Sequence, residues 1–336
     1  MKAAIMDAPQ QMRVGEWKTP EPGPGEVVVR VRAAGICAGD VYIYLGKNPY
    51  ANYPRVAGHE LCGTVEALGE GVTNIQAGDL VVVEPFIGCG KCYACRAGKS
   101  NCCANLGLIG TNLPGGYAEF VVAPVNNIHR VPAGLSPLEA SFAEPLAIGV
   151  QACRRADVRA GEYVLILGCG PIGLALIEVA KARGARVTAT DISRPRLEFA
   201  SSLGIETIQP DQLLKIVQQR TGGEGAAIVF EATGNPKAME QTVELVASGG
   251  RIVIVGLVKQ GVTVSIPGLD ITRKEMTLLG SRASVNCFPE ALELLASGKI
   301  QYPKVATRLS MWEAPAIFEA LVKDPTSMHK GVLMIE

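Results

Sequence analysis

The first part of the chain carries short stretches in which apolar residues alternate with polar ones or run unbroken. Residues 26–34 (EVVVRVRAA), 60–68, 80–83 and 120–123 do this between glycine and proline turns, which predicts strands. The turns at 20–25 (PEPGPG) and 77–79 (AGD) separate them. Near Ala143 the pattern changes. From Tyr163 onward, β-type runs at 163–167, 186–191, 227–231 and 251–255 interleave with helical patterns at 171–183 and 194–203. Strand and helix in alternation predict a parallel sheet with crossover helices. Beyond Gly280 the pattern gives helices over 288–297 and 314–323 and a closing strand over 331–335. No internal repeat and no low-complexity segment interrupts it. The expected layout is a β-rich domain in two pieces, 1–147 and 283–336, with an α/β domain, 148–282, inserted between them.

Composition narrows the partners. The chain has 336 residues, 48% hydrophobic and 19% charged, with 32 basic against 32 acidic side chains. That balance gives no electrostatic reason to expect nucleic acid or an anionic membrane surface. The start, MKAAIMDAPQQ, has no apolar core followed by a small-residue cleavage site. The longest apolar stretch, 164–177, is broken by Gly168, Gly170, Pro171 and Gly173, and falls short of the roughly 20 apolar residues that cross a bilayer. The expectation is a cytoplasmic protein with no membrane partner. In that compartment, ten cysteines with several tightly spaced point to metal binding rather than a disulfide framework.

Gly168-Cys169-Gly170-Pro171-Ile172-Gly173 follows the apolar run YVLIL and opens a helical pattern. In a GxGxxG so placed, the first glycine allows the turn and the second lets a diphosphate approach the backbone. The third lets helix and strand pack closely. Free N–H groups at the helix start favour the negative charge. The next strand, RVTATD, delivers Asp191 eighteen residues after Gly173. A carboxylate there would accept from the adenosine ribose hydroxyls and repel a 2′-phosphate, so NAD is expected ahead of NADP. Arg194 and Arg196 lie just beyond and moderate that preference. Asp191 could instead serve only as a helix cap.

Cys89, Cys92, Cys95 and Cys103 place four sulfurs within fifteen residues. Four soft donors with no open position describe a closed, structural zinc site. Cys102 stands next to Cys103 and offers an alternative fourth ligand. The intervening Lys91, Arg96 and Lys99 argue against a plain buried core. A second set is scattered: Cys37, His59, Glu60 and Glu144. Thiolate, imidazole and carboxylate are the donors of a catalytic zinc, which keeps one position for water or substrate. Taken singly, a cysteine is more often a small apolar residue and a histidine a core or surface one.

Across nearly its whole length the chain resembles the zinc-dependent medium-chain alcohol dehydrogenases. The segment Gly58-His59-Glu60-x2-Gly63-x5-Gly69, the cysteine lobe and the GxGxxG with its downstream acid occur in that family's order. YPRVAGHELCG, FAEPLAIGVQACRRA and LLGSRAS look most like polyol and sugar-acid dehydrogenases, including sorbitol and hexonate 5-dehydrogenases. The resemblance implies a GroES-like catalytic domain interrupted by a doubly wound Rossmann domain. It also implies two zinc ions per chain and assembly into dimers or tetramers by pairing of nucleotide-domain sheet edges. It favours Cys103 over Cys102 in the lobe. It places the catalytic zinc on Cys37, His59 and Glu144, with Glu60 and water close by. Two positions depart from the family. Where a serine or threonine hydroxyl usually relays the alcohol proton the chain has Gly39, and where histidine often follows it has Tyr42. Tyr42, Glu60, Tyr44 or water would then carry the proton, with Asp40 as a supporting group.

The expected chemistry is zinc-assisted hydride transfer between a secondary alcohol of a polyol or sugar acid and NAD, giving a ketone. Tyr42, Tyr44, Thr111, Asn112, Arg282 and Asn286 are candidate hydroxyl-binding groups, and Arg55 and Arg282 candidate carboxylate-binding groups. The competing readings are a threonine or other secondary-alcohol dehydrogenase, a zinc-free quinone reductase, and a non-catalytic nucleotide sensor.

Overall fold

The computed structural model describes residues 1–49 and 51–335. The chain divides into two compact units. The first comprises Met1–Glu144, Phe288–Gly298 and Pro303–Glu336; the second comprises Pro145–Cys287 and Lys299–Tyr302.

In chain order the strands are β1 (Lys2–Ala8), β2 (Gln11–Glu16), β3 (Glu26–Gly35), β4 (Arg55–Val56), β5 (Glu60–Leu68), β6 (Leu80–Val83), β7 (Phe86–Ile87), β8 (Gly107–Leu108), β9 (Phe120–Pro124) and β10 (Ile128–Arg130). The second unit contributes β11 (Tyr163–Leu167), β12 (Arg186–Thr190), β13 (Glu206–Ile208), β14 (Ala226–Glu231), β15 (Val246–Ile254) and β16 (Thr277–Gly280). The chain closes with β17 (Ala306–Ser310) and β18 (Lys330–Met334).

The first unit is built on a seven-stranded sheet, in the order β10-β6-β5-β3-β18-β17 with β9 also paired to β3. A three-stranded sheet, β2-β1-β4, lies in the same unit. Strand β3 is central and buried over most of its length, as its valine-rich run requires. Its end fixes the local register. Gly35 faces Glu60 at the start of β5 on one side and Val332 on β18 on the other. Three distant stretches of sequence therefore meet at one end of the sheet. The buried core around it includes Ile5, Val29, Ile43, Leu61, Tyr117 and Phe318, and both tryptophans, Trp17 and Trp312, pack against its rim.

The second unit holds the expected parallel sheet, in the order β13-β12-β11-β14-β15-β16. Its central strand β11 is apolar and buried, because helices cover both faces of such a sheet. The order reverses at β11, and the first turn after that strand is the place where doubly wound sheets bind ligands. Each element expected from the sequence is found within a residue or so, except that β15 begins at Val246 and reaches five residues further toward the N-terminus; β1, β2, β13, β16, β17 and the helix Ala143–Arg155 are among those the sequence pattern did not announce. Glycines 249 and 250 hid that extension by resembling a turn. Among the described residues no helix is long and apolar enough to cross a membrane.

Candidate active site

The site at the end of β3 is assembled from its local backbone. The chain leaves Gly35, passes Ile36, and turns into the short helix Ala38–Tyr44 with Cys37 as its N-cap. The Cys37 sulfur accepts from the Gly39 N–H at 3.4 Å, and Asp40 reaches back to the Cys37 N–H at 3.0 Å. This reciprocal cap fixes the thiol at the helix start, where the backbone favours negative charge. Asp40 is fully buried. One of its oxygens accepts from the Tyr117 hydroxyl at 2.7 Å; the other lies 3.3 Å from Nδ1 of His59, and neither of those last two atoms has another partner. Burial alone would push the imidazole down, but Asp40 and Cys37 outweigh it and raise His59 well above its ordinary value. Burial likewise pushes Asp40 up, and His59, the Tyr117 hydroxyl and the Cys37 N–H together more than compensate, holding it low.

Glu60 projects from the first position of β5 against Gly35. A methyl group on Gly35 would stand 2.1 Å from Glu60 Oε2, so that position admits only glycine while the carboxylate stays. Oε1 pairs with the Lys330 ammonium at 2.5 Å, and the same ammonium donates to Ile36 O at 2.9 Å. Both side chains are 2% exposed. Burial would lower Lys330; Glu60 and Cys37 outweigh it and raise it. Oε2 of Glu60 is buried without a partner.

The ligand atoms of Cys37, His59 and Glu60 lie within 4.8 Å of one another. Glu144, in the first turn of the helix Ala143–Arg155, is buried beside this group but is not one of the three grouped atoms. Burial pushes its carboxyl up to about 7, and the negative charges of Glu60 and Asp40 push the same way against His59 and Lys330. A thiol, an imidazole, three carboxyls and one lysine thus share this buried corner. Buried acceptors without donors and an excess of negative groups suit a cation at this place. With Asp40 on Nδ1, the other imidazole nitrogen is free to face it.

The cysteine lobe is separate and nearer the surface. Sulfurs of Cys89, Cys92, Cys95 and Cys103 form one group within 4.8 Å. Cys92 lies 3.5 Å from Cys95 and 3.8 Å from Cys103. Sulfurs bound about 2.3 Å from a tetrahedral zinc stand roughly 3.8 Å apart, whereas a disulfide needs about 2.05 Å. Backbone N–H groups of Cys95 and Ala104 pull Cys92 down to about 6, as a thiolate site requires. Cys102 is exposed and outside the group; Cys103 is buried within it.

In the second unit the glycine turn links β11 to the helix Pro171–Ala182, capped by Gly170. Gly168 has φ +108°, and a methyl on Gly173 would stand 1.9 Å from Gly168 O. Above Gly170 the nearest atom to such a methyl is Arg196 Nη1 at 3.7 Å, which leaves the turn open for an approaching group. Asp191 follows β12. Its oxygens accept from the Cys169 and Ser193 N–H groups at 2.7 Å each, and Arg196 Nη1 lies 3.9 Å away. The carboxylate braces the turn and keeps lone pairs for further donors. Pro171 and Ile172 form the first turn of the helix. A cleft of about 650 Å³ lined by Glu162, Arg186, Glu206 and Arg220 holds none of the expected site residues. It lies at the amino ends of β11 and β12, opposite the end at which such sheets bind ligands.

Profiles described as the alcohol dehydrogenase GroES-like domain and as zinc-binding dehydrogenase match residues 23–133 and 171–297. L-Galactonate-5-dehydrogenase of Escherichia coli K12 is 37% identical to this chain, covering 99% of it and 98% of the relative. The chain belongs to the zinc-dependent medium-chain alcohol dehydrogenases. Two solved structures are similar to it. A zinc-binding dehydrogenase from Sinorhizobium meliloti 1021 bound to NADP has a TM-score of 0.93 at 31% identity, covering 99% of each chain. The alcohol dehydrogenase RspB from E. coli CFT073 with NADH has a TM-score of 0.92 at 32% identity, covering 100% of this chain and 99% of that one. The expected architecture, a Rossmann domain within a GroES-like one, is therefore that of the family.

Within this family frame, sequence reasoning passed over Lys330 and Tyr117, which complete the buried network. Lys330 stands alone in its sequence neighbourhood, and only the pairing of β18 with β3 brings it to Glu60. Of the expected relay groups, Tyr42 is 49% exposed and Tyr44 donates to Gln10 O at 3.3 Å. Asn112 is engaged in its own loop, with Leu106 and Leu108. Gly39 could carry a larger side chain: a Cβ there would meet only the Cys37 sulfur, at 3.7 Å.

Proposed function

We propose that this protein oxidises a secondary alcohol of a polyol or sugar acid to a ketone, with NAD as hydride acceptor. The observation that carries the reading is the grouping of Cys37, His59 and Glu60 within 4.8 Å, with Glu144 beside it. Cys37, His59 and Glu60 would hold the catalytic zinc, and the four cysteines of the lobe a structural one. When bound, the catalytic zinc supplies Lewis acidity that lowers the proton affinity of the substrate hydroxyl and stabilises charge on its oxygen.

The chain's own residues do the rest. Asp40 orients His59 and keeps its proton on Nδ1. Lys330 balances Glu60 and fixes its direction. The buried wall excludes water, which strengthens each of these interactions. Gly39 provides no hydroxyl and Tyr42 is turned to solvent, so the alcohol proton passes to Glu144, the carboxyl beside the three grouped ligands. In the second unit the backbone at Gly170 and the helix start receive the cofactor diphosphate, and Asp191 accepts from the ribose. Arg196 sits beside both and supports the diphosphate. NADP in one relative and NADH in another show that neighbours use either cofactor; the carboxylate at Asp191 favours NAD here. Copies would pair along the exposed edge strand β16, where Leu278 is 42% exposed; sedimentation of the purified protein reads this directly.

The test is incubation of the zinc-loaded protein with NAD or NADP and a panel of hexitols, pentitols, hexonates and L-threonine, with reduced nicotinamide followed by absorbance. Saturable turnover of a polyol or hexonate, faster with NAD, is expected. Turnover of threonine alone would move the substrate class, and no turnover of any would overturn the reading.

A further inference from the structure

Four arginines of the first unit show an unusual contrast. Arg13, Arg30 and Arg130 have half-exposed side chains, and each is paired, with Asp7, Glu66 and Asp79 at 2.7–3.0 Å. Arg55 is 7% exposed, and its side chain has no ion pair or hydrogen bond among the described residues; its Nε is buried without a partner. Natural cores reverse this pattern, because a surface arginine has water while a buried one needs an anion. The negative group nearest in effect is Asp40, and it is already committed to Tyr117, the Cys37 N–H and His59. Tyr53 is the other neighbour, and its hydroxyl donates to Ile43 O. Arg55 therefore carries a buried guanidinium N–H, at Nε, that no group of the protein satisfies. Its place is on β4, four residues before His59 and held in register by Met6 on β1.

We propose that Arg55 binds the carboxylate of a sugar-acid substrate whose hydroxyl reacts at the Cys37–His59–Glu60 group. The proposal rests on the dehydrogenase reading above and narrows its substrate class. A planar guanidinium matches a carboxylate through two parallel hydrogen bonds, which an ammonium cannot reproduce. One cation partly offset by Asp40 suits a monoanion. A phosphate ester, carrying close to two negative charges, would call for further donors that do not accompany Arg55. The unpaired charge costs folding stability, a sacrifice typical of binding sites.

The test uses the zinc-loaded enzyme saturated with NADH, so that substrates bind without reacting. Dissociation constants are measured by calorimetry for L-galactonate, its uncharged amide, the matching hexitol and a hexitol phosphate. Wild type is expected to hold the hexonate about 10-fold or more tighter than the amide, about the worth of a charge-assisted pair. Arg55→Met is expected to bring the hexonate-to-amide ratio close to one and to melt no lower than wild type. Arg55→Lys is expected to fall between. Equal binding of hexonate and amide by wild type would overturn the proposal, as would a folded Arg55→Met that keeps the preference. A hexitol phosphate bound more tightly than the hexonate through Arg55 would overturn the carboxylate assignment. Should Arg55→Met not fold, the wild-type ratio and Arg55→Lys decide. Oxidation of hexitols with no effect of Arg55 would sink this proposal alone, whereas no hydride transfer from any alcohol would sink the dehydrogenase reading and the proposal with it.

Discussion

The cysteine lobe and the pocket at the end of β3 use metal-type donors in opposite ways. The lobe draws four like sulfurs from fifteen consecutive residues, partly exposed, with backbone N–H groups turned toward them. The pocket draws unlike donors from Cys37, His59 and Glu60, and surrounds them with Asp40, Glu144, Tyr117 and Lys330. Every lobe sulfur faces another sulfur. In the pocket a carboxylate oxygen of Glu60 stays buried with nothing to accept from. A set of four equal soft donors saturates an ion and serves folding; a mixed, incompletely satisfied set leaves room for a reacting oxygen. The same difference separates a feature readable from spacing from one that only a sheet can assemble.

The largest expected effect breaks the pocket and spares the lobe. Cys37→Ser keeps a helix cap but removes the thiolate. It should lower kcat/KM by about 1,000-fold or more, while elemental analysis still finds the lobe's zinc. The complementary change, Cys95→Ser, should reverse the profile: zinc leaves the lobe, the melting temperature falls by roughly 10 °C or more, and the molecules still folded turn over. If both variants lose activity and metal together, the two regions do not have separate roles. A finer probe is Lys330→Met, which strands the Glu60 carboxylate. Removing one partner of a buried pair should cost about 3–5 kcal/mol in denaturant unfolding of the zinc-free protein. A loss of well under 1 kcal/mol would mean that the pair is solvated. The smallest change is Tyr117→Phe, which removes one hydrogen bond to charged Asp40 at an expected cost of about 1.5–3 kcal/mol. Alongside it, zinc affinity at the pocket should weaken while the lobe's is unchanged, because Asp40 loses a tether and His59 its firm orientation.

These regions also show what the sequence discloses. The lobe's spacing picks three sulfurs and leaves Cys102 or Cys103 as the fourth; the family resemblance favours Cys103, which is buried in the group while Cys102 is exposed outside it. The apolar run at 163–167 and the glycines after it located the nucleotide turn, because strand, turn and helix are contiguous there. The pocket was legible only in part. Cys37, His59, Glu60 and Glu144 stood out as donor types, but the grouping of the first three depends on β3 and β5 lying side by side, and Lys330 reaches Glu60 only through β18. Local periodicity carries no information about pairing across 270 residues, so Lys330 gave no signal at all. The seven-residue helix behind Cys37 was too short for a periodic pattern, and the two-residue β4 too short for alternation. Tyr42, marked for a proton role because it stands where the family often carries histidine, faces outward because the helix turns Asp40, Ile43 and Tyr44 inward instead.

Replacing zinc by cobalt(II) in both regions and recording the visible spectrum while a polyol or hexonate is added reads the contrast most directly. An open pocket on Cys37, His59 and Glu60 predicts that the cobalt–thiolate bands shift on saturation with substrate. The same experiment on Cys37→Ser should show only the unresponsive four-sulfur spectrum. Bands indifferent to every substrate that is turned over, or a shift that survives in Cys37→Ser, would contradict the account.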